Sequence, residues 1–534
     1  MKAFNTTAIC IPEKHYMVDP SEKVQEIKKL VDAGKYFAVN RARQYGKTTT
    51  LRALRKVLVH DNYVVVNLDF QGISRSGFET EEFFVQEFSR LIIKKQRILS
   101  GIPERILEVL NSYVNQDEAK VKLSELFVTL NDWCALSEKP VVMIIDEVDS
   151  ATNNQVFLDF LSQLRDGYIS RESEEIPTFQ SVILAGVTDV KHLKGKIRPD
   201  SEHKENSPWN IAADFMIDMS LSEKGIQQML DEYASDHHLK MDTGEIAGQI
   251  RGYSNGYPFL VSRICQLLDE QMVPGSFDHL ADAWTSNGVE VAVKMILSED
   301  NSLFDSLMGK LRTMPKLSRQ LKEILFEGET IPHLPDNEEQ KQLRMFGFIV
   351  NSHNTVAVAN RIFEMRLYNF YIGESRFADE MRGNALDNKP AFIRSGELDV
   401  PLILDRFIET QKMIRKLDDE TAEKKFIEEE GREKFLTYLS PIINGVGTFS
   451  VEEQTRDRRR MDVVIHTPGK RYIIELKIWH GASRNQDGER QIIGYMERFG
   501  LTVGYMLSFN FNKNKKPGVY PVRIGDKLLY EGIV

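Results

Sequence analysis

Between about residues 20 and 220, short unbroken apolar runs alternate with stretches of helical periodicity. The runs are Tyr36–Asn40 (YFAVN), Tyr63–Asp69 (YVVVNLD), Val141–Ile145 (VVMII) and Ser181–Gly186 (SVILAG). A strand that is apolar on both faces must be covered on both, which is the situation in a parallel sheet flanked by helices. The spacing fits βαβ crossovers, so the expected fold class is α/β. From Leu221 to about Asp300 the pattern is helical, with Ser220 or Ser222 placed to cap the first helix. Two further helical stretches, LSRQLKEILFEG and NEEQKQLRMFG, precede two short alternating runs, FIVNS and TVAVAN, within Leu317 to Tyr371. Helices followed by a small hairpin predict a winged helix. Residues 372–430 are dense in charge, and Ile408–Glu430 reads as a helix connecting two domains. The last stretch, 431–534, reads helix, hairpin, strand, helix, strand, a second α/β unit.

These transitions divide the 534 residues into 1–220, 221–305, 306–375, 376–430 and 431–534. With 42% hydrophobic and 28% charged residues the chain can bury sizeable cores, which excludes a generically disordered protein. Cys10, Cys134 and Cys265 lie far apart, with neither metal-ligand spacing nor a disulfide framework, so a reducing compartment is expected. No apolar run approaches the roughly 18 residues needed to span a bilayer. The opening MKAFNTTAICIPEKHYM lacks the apolar stretch of a signal peptide. The expectation is a soluble, cytoplasmic protein with no membrane partner.

Charge changes the picture only when it is divided. The net charge of −10 reads against a nucleic-acid partner. Residues 431–534, however, hold 17 Lys and Arg against 11 Asp and Glu, a surplus of six that leaves −16 to the first 430. The acidic balance belongs to the front and the tail is basic.

The first strand runs into RARQYGKTTTLRAL, with Gly46, Lys47 and Thr48 where strand turns into helix. A phosphate-binding loop requires that context, because backbone N–H groups and the helix dipole both face the anion there. Gln44, Tyr45, Gly46, Lys47, Thr48 and Thr49 form the expected nucleotide-binding stretch. Lys47 would reach the β and γ phosphates, and Thr48 would ligate Mg²⁺. The pattern GxxxxGK[ST] departs at its first glycine, which is Arg41 here. A second apolar strand ends in Asp146 and Glu147 (VVMIIDEVDS). That arrangement offers one carboxylate to Mg²⁺ and another to the attacking water. A third strand ends at Thr188 and Asp189; Thr188 is either a γ-phosphate sensor or a cap. Arg165, Arg171 and Arg263 are candidates for a γ-phosphate or trans-acting arginine, or else solvated surface arginines.

RARQYGKTTTL, IIDEVDS, SPWNIA (Ser207–Ala212) and SNGYPFLVSRIC (Ser254–Cys265) together resemble the AAA-like P-loop ATPases. They resemble in particular the prokaryotic group related to archaeal ATPases and signal-transducing NTPases. Over roughly residues 1–375 the resemblance implies ATP binding, a helical lid over 221–305 whose helix starts at Gly256-Tyr257-Pro258, and a following winged helix. Arg41 is compatible with that group.

In the tail, Arg458-Arg459-Arg460-Met461-Asp462 opens an apolar strand, and Arg471-Tyr-Ile-Ile-Glu475-Leu-Lys477 follows a turn at Pro468-Gly469-Lys470. Alternation puts Glu475 and Lys477 on one face and Leu476 on the other. Two carboxylates and a lysine on one hairpin suit metal-dependent phosphodiester hydrolysis. The carboxylates Asp462 and Glu475 hold Mg²⁺, and Lys477 positions water or stabilises developing charge. His466 and His480 read as turn or surface residues rather than ligands. This set resembles the PD-(D/E)xK nuclease superfamily, although Met461 stands where that family's name has Pro. The resemblance extends to Glu433, as the acidic residue of the first helix, and to Gln491 and Tyr495, as the Gln-x-x-x-Tyr of the following helix. Arg458, Arg459 and Arg460 are the expected phosphate contacts for salt-sensitive, weakly sequence-specific DNA binding.

The expected architecture is thus a P-loop NTPase parallel sheet with a helical lid, a winged helix, a charged helical connector over 376–430 and a nuclease-like α/β domain over 431–534. The leading function is an ATPase coupled to a Mg²⁺-dependent DNase, with a role in mobile-element defence by analogy alone. The alternatives are a nucleotide-gated switch or DNA-binding regulator with a catalytically silent nuclease fold, and a plain ATPase with an interaction tail. A trans-acting arginine would require a homo-oligomer.

Overall fold

The structure, a computed structural model, describes residues 2–7, 9–95, 101–115, 121–187, 208–326, 331–374, 378–394, 397–417, 428–444, 446–454, 460–467, 470–478, 492–497, 499–509 and 516–534. The chain divides into two compact units. The first comprises Met1–Lys310 with Lys341–Ile349 and Ala359–Ile362; the second comprises Leu311–Gln340, Val350–Val358 and Phe363–Val534.

In the first unit, two short parallel strands, β1 (Ala3–Phe4) and β2 (His15–Tyr16), come first. The central sheet follows: β3 (Phe37–Asn40), β4 (Val64–Asp69), β5 (Val141–Asp146) and β6 (Ser181–Gly186), in the order β3-β6-β5-β4. All pairs are parallel, in the registers Phe37↔Ile183, Ile144↔Ile183 and Asn67↔Ile144, so every strand ends at the same edge. The four apolar runs of the sequence are these strands, and Asp146 is the last residue of β5.

Alternate strand residues feed two cores. Val65, Val142, Ile144 and Ile183 pack with Val24, Ile27, Leu51 and Leu54 from helices Ser21–Asp32 and Lys47–His60. On the other face, Val66, Met143, Ile145 and Val182 pack with Phe84, Phe88, Phe157 and Phe160. Fully burying each such side chain contributes roughly 1.5–3 kcal/mol, and burial on both faces favours strands that are apolar along most of their length. Helices Glu223–Asp236, Thr243–Ser254, Pro258–Glu270 and Ser286–Ser298 form the helical part. Of the two candidate caps, Ser222 serves, its Oγ accepting from the Gly225 N–H at 3.1 Å. Phe4 and Tyr16 of β1 and β2 pack on Tyr233, with ring centroids 5.2 Å away in both cases.

Helices Ser302–Thr313, Pro315–Phe326 and Glu338–Phe346 are followed by β7 (Ile349–Ser352) and β8 (Thr355–Val358), which pair as a two-stranded sheet. The helix expected over Ile408–Glu430 begins earlier, within Val400–Leu417, after a small hairpin of β9 (Ile393–Arg394) and β10 (Glu397–Leu398). The reason is an apolar stripe: Val400, Ile403, Leu404, Phe407 and Ile408 are all buried, at helical spacing. Residues 418–427 lie outside the described residues.

The second unit closes with a six-stranded sheet. Its strands are β11 (Thr448–Gln454), β12 (Arg460–Thr467), β13 (Lys470–Ile478), β14 (Val503–Phe509), β15 (Gly518–Ile524) and β16 (Lys527–Ile533), in the order β11-β12-β13-β14-β16-β15. β11, β12 and β13 form an antiparallel meander, β13, β14 and β16 are parallel, and β15 is an antiparallel edge. The sequence pattern missed β11 and the β15–β16 hairpin. Helices Val400–Leu417 and Glu428–Ile443 cover the face bearing Leu507 and Phe509, as Leu404 near Gly532 and Phe509 against Gly431 show. Ile492, Tyr495 and Met496 cover the opposite face, packing on Val464, Ile473, Met506 and Leu529.

Candidate functional site

The loop Arg41–Gly46 joins the end of β3 to helix Lys47–His60. Gln44 (φ 56°) and Gly46 (φ 78°) both take the left-handed conformation that the tight turn needs. No side chain caps the helix, so its first N–H groups point at the loop. Lys47 is 7% exposed, and its Nζ donates to the carbonyls of Arg41 at 2.9 Å and Ala42 at 3.1 Å. Burial holds its proton affinity below the ordinary lysine value, against the pull of Glu147, Asp149 and Asp146. Thr48 Oγ1 donates to Asp146 Oδ2 at 2.8 Å, and the other oxygen of Asp146 accepts from the Glu147 N–H at 3.0 Å. Glu147 sits at φ 55°, a backbone cost found where side-chain direction matters. Burial first, and then the charge of Asp146, push its carboxyl above the usual range. Asp149 ties this turn to the end of β6, accepting from the Val187 N–H at 2.7 Å.

Arg41 explains the missing glycine. Its N–H donates to Gly186 O at 3.2 Å and continues the β3–β6 ladder by one step. Its guanidinium donates to Asn40 O at 2.8 Å and Ile217 O at 2.7 Å, and lies 5.2 Å from the Phe215 ring centroid. As a motif position Arg41 is a tolerated departure; its side chain in fact fastens the segment leading to the helical part onto the loop. The Gly-Tyr-Pro element reaches the same loop. The Tyr257 hydroxyl donates to Arg43 O, and its ring meets Tyr45 edge-on at 4.8 Å. Thr49 Oγ1 accepts from the Cys10 N–H at 3.2 Å.

The arginine candidates separate. Arg171 donates to Gly34 O, Phe179 O and Gln180 O at 2.8–2.9 Å, and so holds a turn. Arg263 pairs with Glu299 at 2.6 Å. Thr188 lies outside the described residues.

In the terminal sheet, Glu475 is fully buried in β13. The β12–β13 register pairs Val463 with Ile474, the chain neighbours of Asp462 and Glu475. The side chains of Arg460, Asp462 and Lys477, and residues Arg458, Arg459, His480 and Gln491 as a whole, lie outside the described residues. Tyr495 is buried in the core on the Met506 face, which is also the face of Glu475, since Glu475 pairs with Met506. Glu433 rides on helix Glu428–Ile443, which packs on the other face, and its Oε2 accepts from Lys322 Nζ at 2.9 Å. A carboxylate missed in the sequence is Glu531. It is buried in β16 beyond Met506 in the same register row, and accepts from Ser508 Oγ at 3.4 Å. Its only signal was an acidic residue inside the apolar run KLLYEGI. Among the described residues no group of three or more His, Cys, Asp or Glu is placed to hold a metal. None is needed at the loop, because a nucleotide-bound Mg²⁺ takes one or two protein ligands and fills its shell with phosphate and water. Among the described residues no helix is long and apolar enough to cross a membrane.

Comparison with known proteins bears on the first of these sites. A WD repeat-containing protein of Synechocystis, slr0143, is 25% identical over 363 residues, 66% of this chain and 29% of that protein. The chain therefore spans less than a third of that relative. Of solved structures, the Walker-type ATPase PABY2304 of Pyrococcus abyssi has 15% identity and a TM-score of 0.45, over 68% of this chain and 99% of its own. The ORC1 protein of Aeropyrum pernix in complex with DNA has 11% identity and a TM-score of 0.30, over 66% and 93%. RuvB of Thermotoga maritima, the Holliday junction branch migration motor, has 12% identity and a TM-score of 0.30, over 64% and 92%. A family match over residues 6–373 takes in the loop, the Asp146 strand end and the Gly-Tyr-Pro element alike, and by it the chain belongs to the AAA-like domain family of P-loop ATPases.

Proposed function

We propose that this ATPase binds and hydrolyses Mg²⁺-ATP at the loop before Lys47, and that its nucleotide state governs a metal-dependent DNA phosphodiesterase in the terminal sheet. The observation that carries the first half is the Thr48–Asp146 contact beside an uncapped helix start. A hydroxyl and a carboxylate already in contact form the ligand pair that Mg²⁺ on a triphosphate needs. Bound there, the ion supplies charge neutralisation on the phosphates. Lys47 donates to two loop carbonyls, which it would exchange for phosphate oxygens, because bonds between two charged groups are stronger. Glu147, whose raised proton affinity brings it nearer to neutrality, orients the attacking water and takes its proton.

Several observations support the second half. The meander β11–β13 with β14 parallel to β13, preceded by a helix carrying Glu433, agrees with the nuclease-like topology that the sequence resembles. Asp462 and Glu475 adjoin the paired residues Val463 and Ile474, and the tail has a basic surplus. In this reading Asp462 and Glu475 hold the metal and Lys477 stabilises developing charge. Gln491 and Glu433 assist, and Arg458, Arg459 and Arg460 bind phosphates. Residues 306–375 act as a winged helix. A second reading, a nucleotide-gated switch or DNA-binding regulator with a silent nuclease fold, is favoured by one observation: Lys322 already occupies the carboxylate of Glu433. Parallel assays of ATP turnover and plasmid nicking with Mg²⁺ decide. Nicking that vanishes in Glu475→Ala and falls in Lys47→Ala supports coupling. Turnover with no cleavage under any metal establishes the switch.

A further inference from the structure

The arm of chain before helix Ser21–Asp32 touches two separate parts of the first unit. Its strands β1 and β2 form a two-stranded sheet of their own, outside the sheet that carries the loop. Their side chains are buried all the same, Phe4 at 2% exposed and Tyr16 completely. The helical part covers them. Phe4, Tyr16, Tyr233 and Trp284 make one aromatic cluster, with neighbouring ring centroids 4.6–5.9 Å apart. Carboxylates on the same helices take up the hydroxyls: Tyr16 donates to Asp236 Oδ2 at 2.9 Å and Tyr233 to Asp269 Oδ1 at 2.5 Å. Trp284 Nε1 in turn donates to the Tyr233 hydroxyl at 3.2 Å. The arm meets the same helices twice more. Thr6 Oγ1 donates to Gln266 Oε1 at 3.1 Å, and a Cβ on Gly225 would come within 2.6 Å of Val18.

Between these anchors the arm reaches the helix that follows the nucleotide loop, at its first turn. The Cys10 N–H donates to Thr49 Oγ1 at 3.2 Å, one residue after Thr48. Glu13 also pairs with Lys56 at 3.9 Å, with both side chains more than half exposed. The two attachments differ in kind. On the helical part, large apolar areas leave water and aromatic faces pack on one another. On helix Lys47–His60 the polar contacts are one neutral hydrogen bond and one exposed ion pair, and an exposed pair contributes little. A movement that lifts the helical part from the loop therefore separates Cys10 from Thr49 and leaves the aromatic cluster whole.

We infer that the arm up to Val18 is a strap that moves with the helical part and holds it down beside the nucleotide loop, so that nucleotide release has to break the strap's contact at Thr49. The strap acts alongside the direct fastenings at Arg41 and Tyr257, and the aromatic cluster is its anchor. The inference rests on the reading of the loop as an ATP site.

The test uses the full chain with Mg²⁺ and measures the release rate of a fluorescent ADP chased with unlabelled ADP, together with native-state hydrogen exchange. Phe4→Ala removes one ring of the anchor. Tyr16→Phe keeps the ring and removes the bond to Asp236, and it carries the test alone if Phe4→Ala fails to fold. Phe4→Ala should speed ADP release about two- to tenfold, the scale of one neutral hydrogen bond, and Tyr16→Phe should speed it less. Glu13→Gln, which alters only the exposed pair, should release at the unsubstituted rate. In both anchor variants exchange should quicken in the arm and in helix Glu223–Asp236 together, and stay as it was in Val141–Asp146. Unchanged release in the anchor variants overturns the inference, and so does exchange that quickens equally in Val141–Asp146, which would mark a merely structural loss. Failure of the loop reading looks different: the unsubstituted protein then binds no ADP, and exchange alone decides whether arm and helices move as one.

Discussion

The Thr48 hydroxyl and the Asp146 carboxylate meet at 2.8 Å across 98 residues of sequence. In the proposed nucleotide site the contact would preorganise two ligands for one cation, the rest of whose shell would come from the nucleotide and water. Thr48→Val is nearly isosteric and removes the oxygen. It should weaken nucleotide binding about 10–100-fold in Mg²⁺, the range seen when metal-site support is lost. Binding in EDTA should barely change. Calorimetric titrations under the two conditions check this; an equal loss in both would mean that Thr48 acts on the loop rather than on the ion.

Glu147 carries a pH prediction with a definite sign. Its folded-state pKa lies above the ordinary 4.5, through burial and the charge of Asp146. The folded protein therefore holds the proton more tightly than the unfolded chain. The stability this confers is complete below pH 4.5 and is lost as pH rises through the folded value. Glu147→Gln should raise the melting temperature at neutral pH, and the gain should shrink toward acid. The same substitution should slow ATP turnover about 10²–10⁴-fold while nucleotide still binds. A melting temperature that falls at neutral pH would show that the carboxylate is stabilised rather than penalised where it sits.

Much of this site was legible because its signals are local. A buried parallel strand has to be apolar along its length, so the strands at Phe37–Asn40 and Val141–Asp146 stand out as unbroken apolar runs. Gly46-Lys47-Thr48 lies where β3 leads into helix Lys47–His60, the context a phosphate loop requires. What escaped was set by distant partners. Arg41 looked like a defect in the motif because its partner carbonyl, Ile217, lies 176 residues away. The start of the helix Val400–Leu417 was missed because charge density masks the stripe at Val400, Ile403 and Phe407. Glu531 became interesting only when the register put it in one row with Met506 and Glu475.

Arg41→Gly restores the common loop pattern and should nevertheless harm the protein. Two carbonyls, on Asn40 and Ile217, lose a charged donor, and the Phe215 ring loses its cover. Hydrogen bonds to charged groups contribute about 1.5–3 kcal/mol. The denaturant midpoint should fall accordingly, and nucleotide affinity should drop with it. An unchanged midpoint would mean that the segment around Ile217 is held without Arg41.

Gly256 tests the other fastening of the helical part. It sits at φ +70°, and a Cβ there would lie 2.2 Å from the carbonyl oxygen of Leu221, whose own N–H donates to Gly256 O at 2.8 Å. Left-handed backbone alone costs an L-residue about 1–2 kcal/mol, and a clash with backbone cannot be relieved by a rotamer change. Gly256→Ala should therefore lower stability by more than about 2 kcal/mol. Thermal unfolding measures it, and a neutral result would show that the Leu221 strand of chain yields without cost.

Lys322 and Glu433 form a pair whose meaning depends on the activity of the terminal sheet. At 2.9 Å, with the two side chains 32% and 13% exposed, it is a partly solvated ion pair. Such pairs contribute about 0–1 kcal/mol, so neither Lys322→Met nor Glu433→Gln should shift the melting temperature by more than a few degrees. Their effects on DNA cleavage should diverge. If Glu433 serves the metal-carboxylate hairpin, Glu433→Gln abolishes Mg²⁺-dependent nicking, whereas Lys322→Met frees the carboxylate and leaves nicking intact or faster. If the pair only joins two helices, the two variants behave alike in every assay. Initial nicking rates of the two single variants and the double variant separate these cases: in the first the double variant follows Glu433→Gln, and in the second all three remain together.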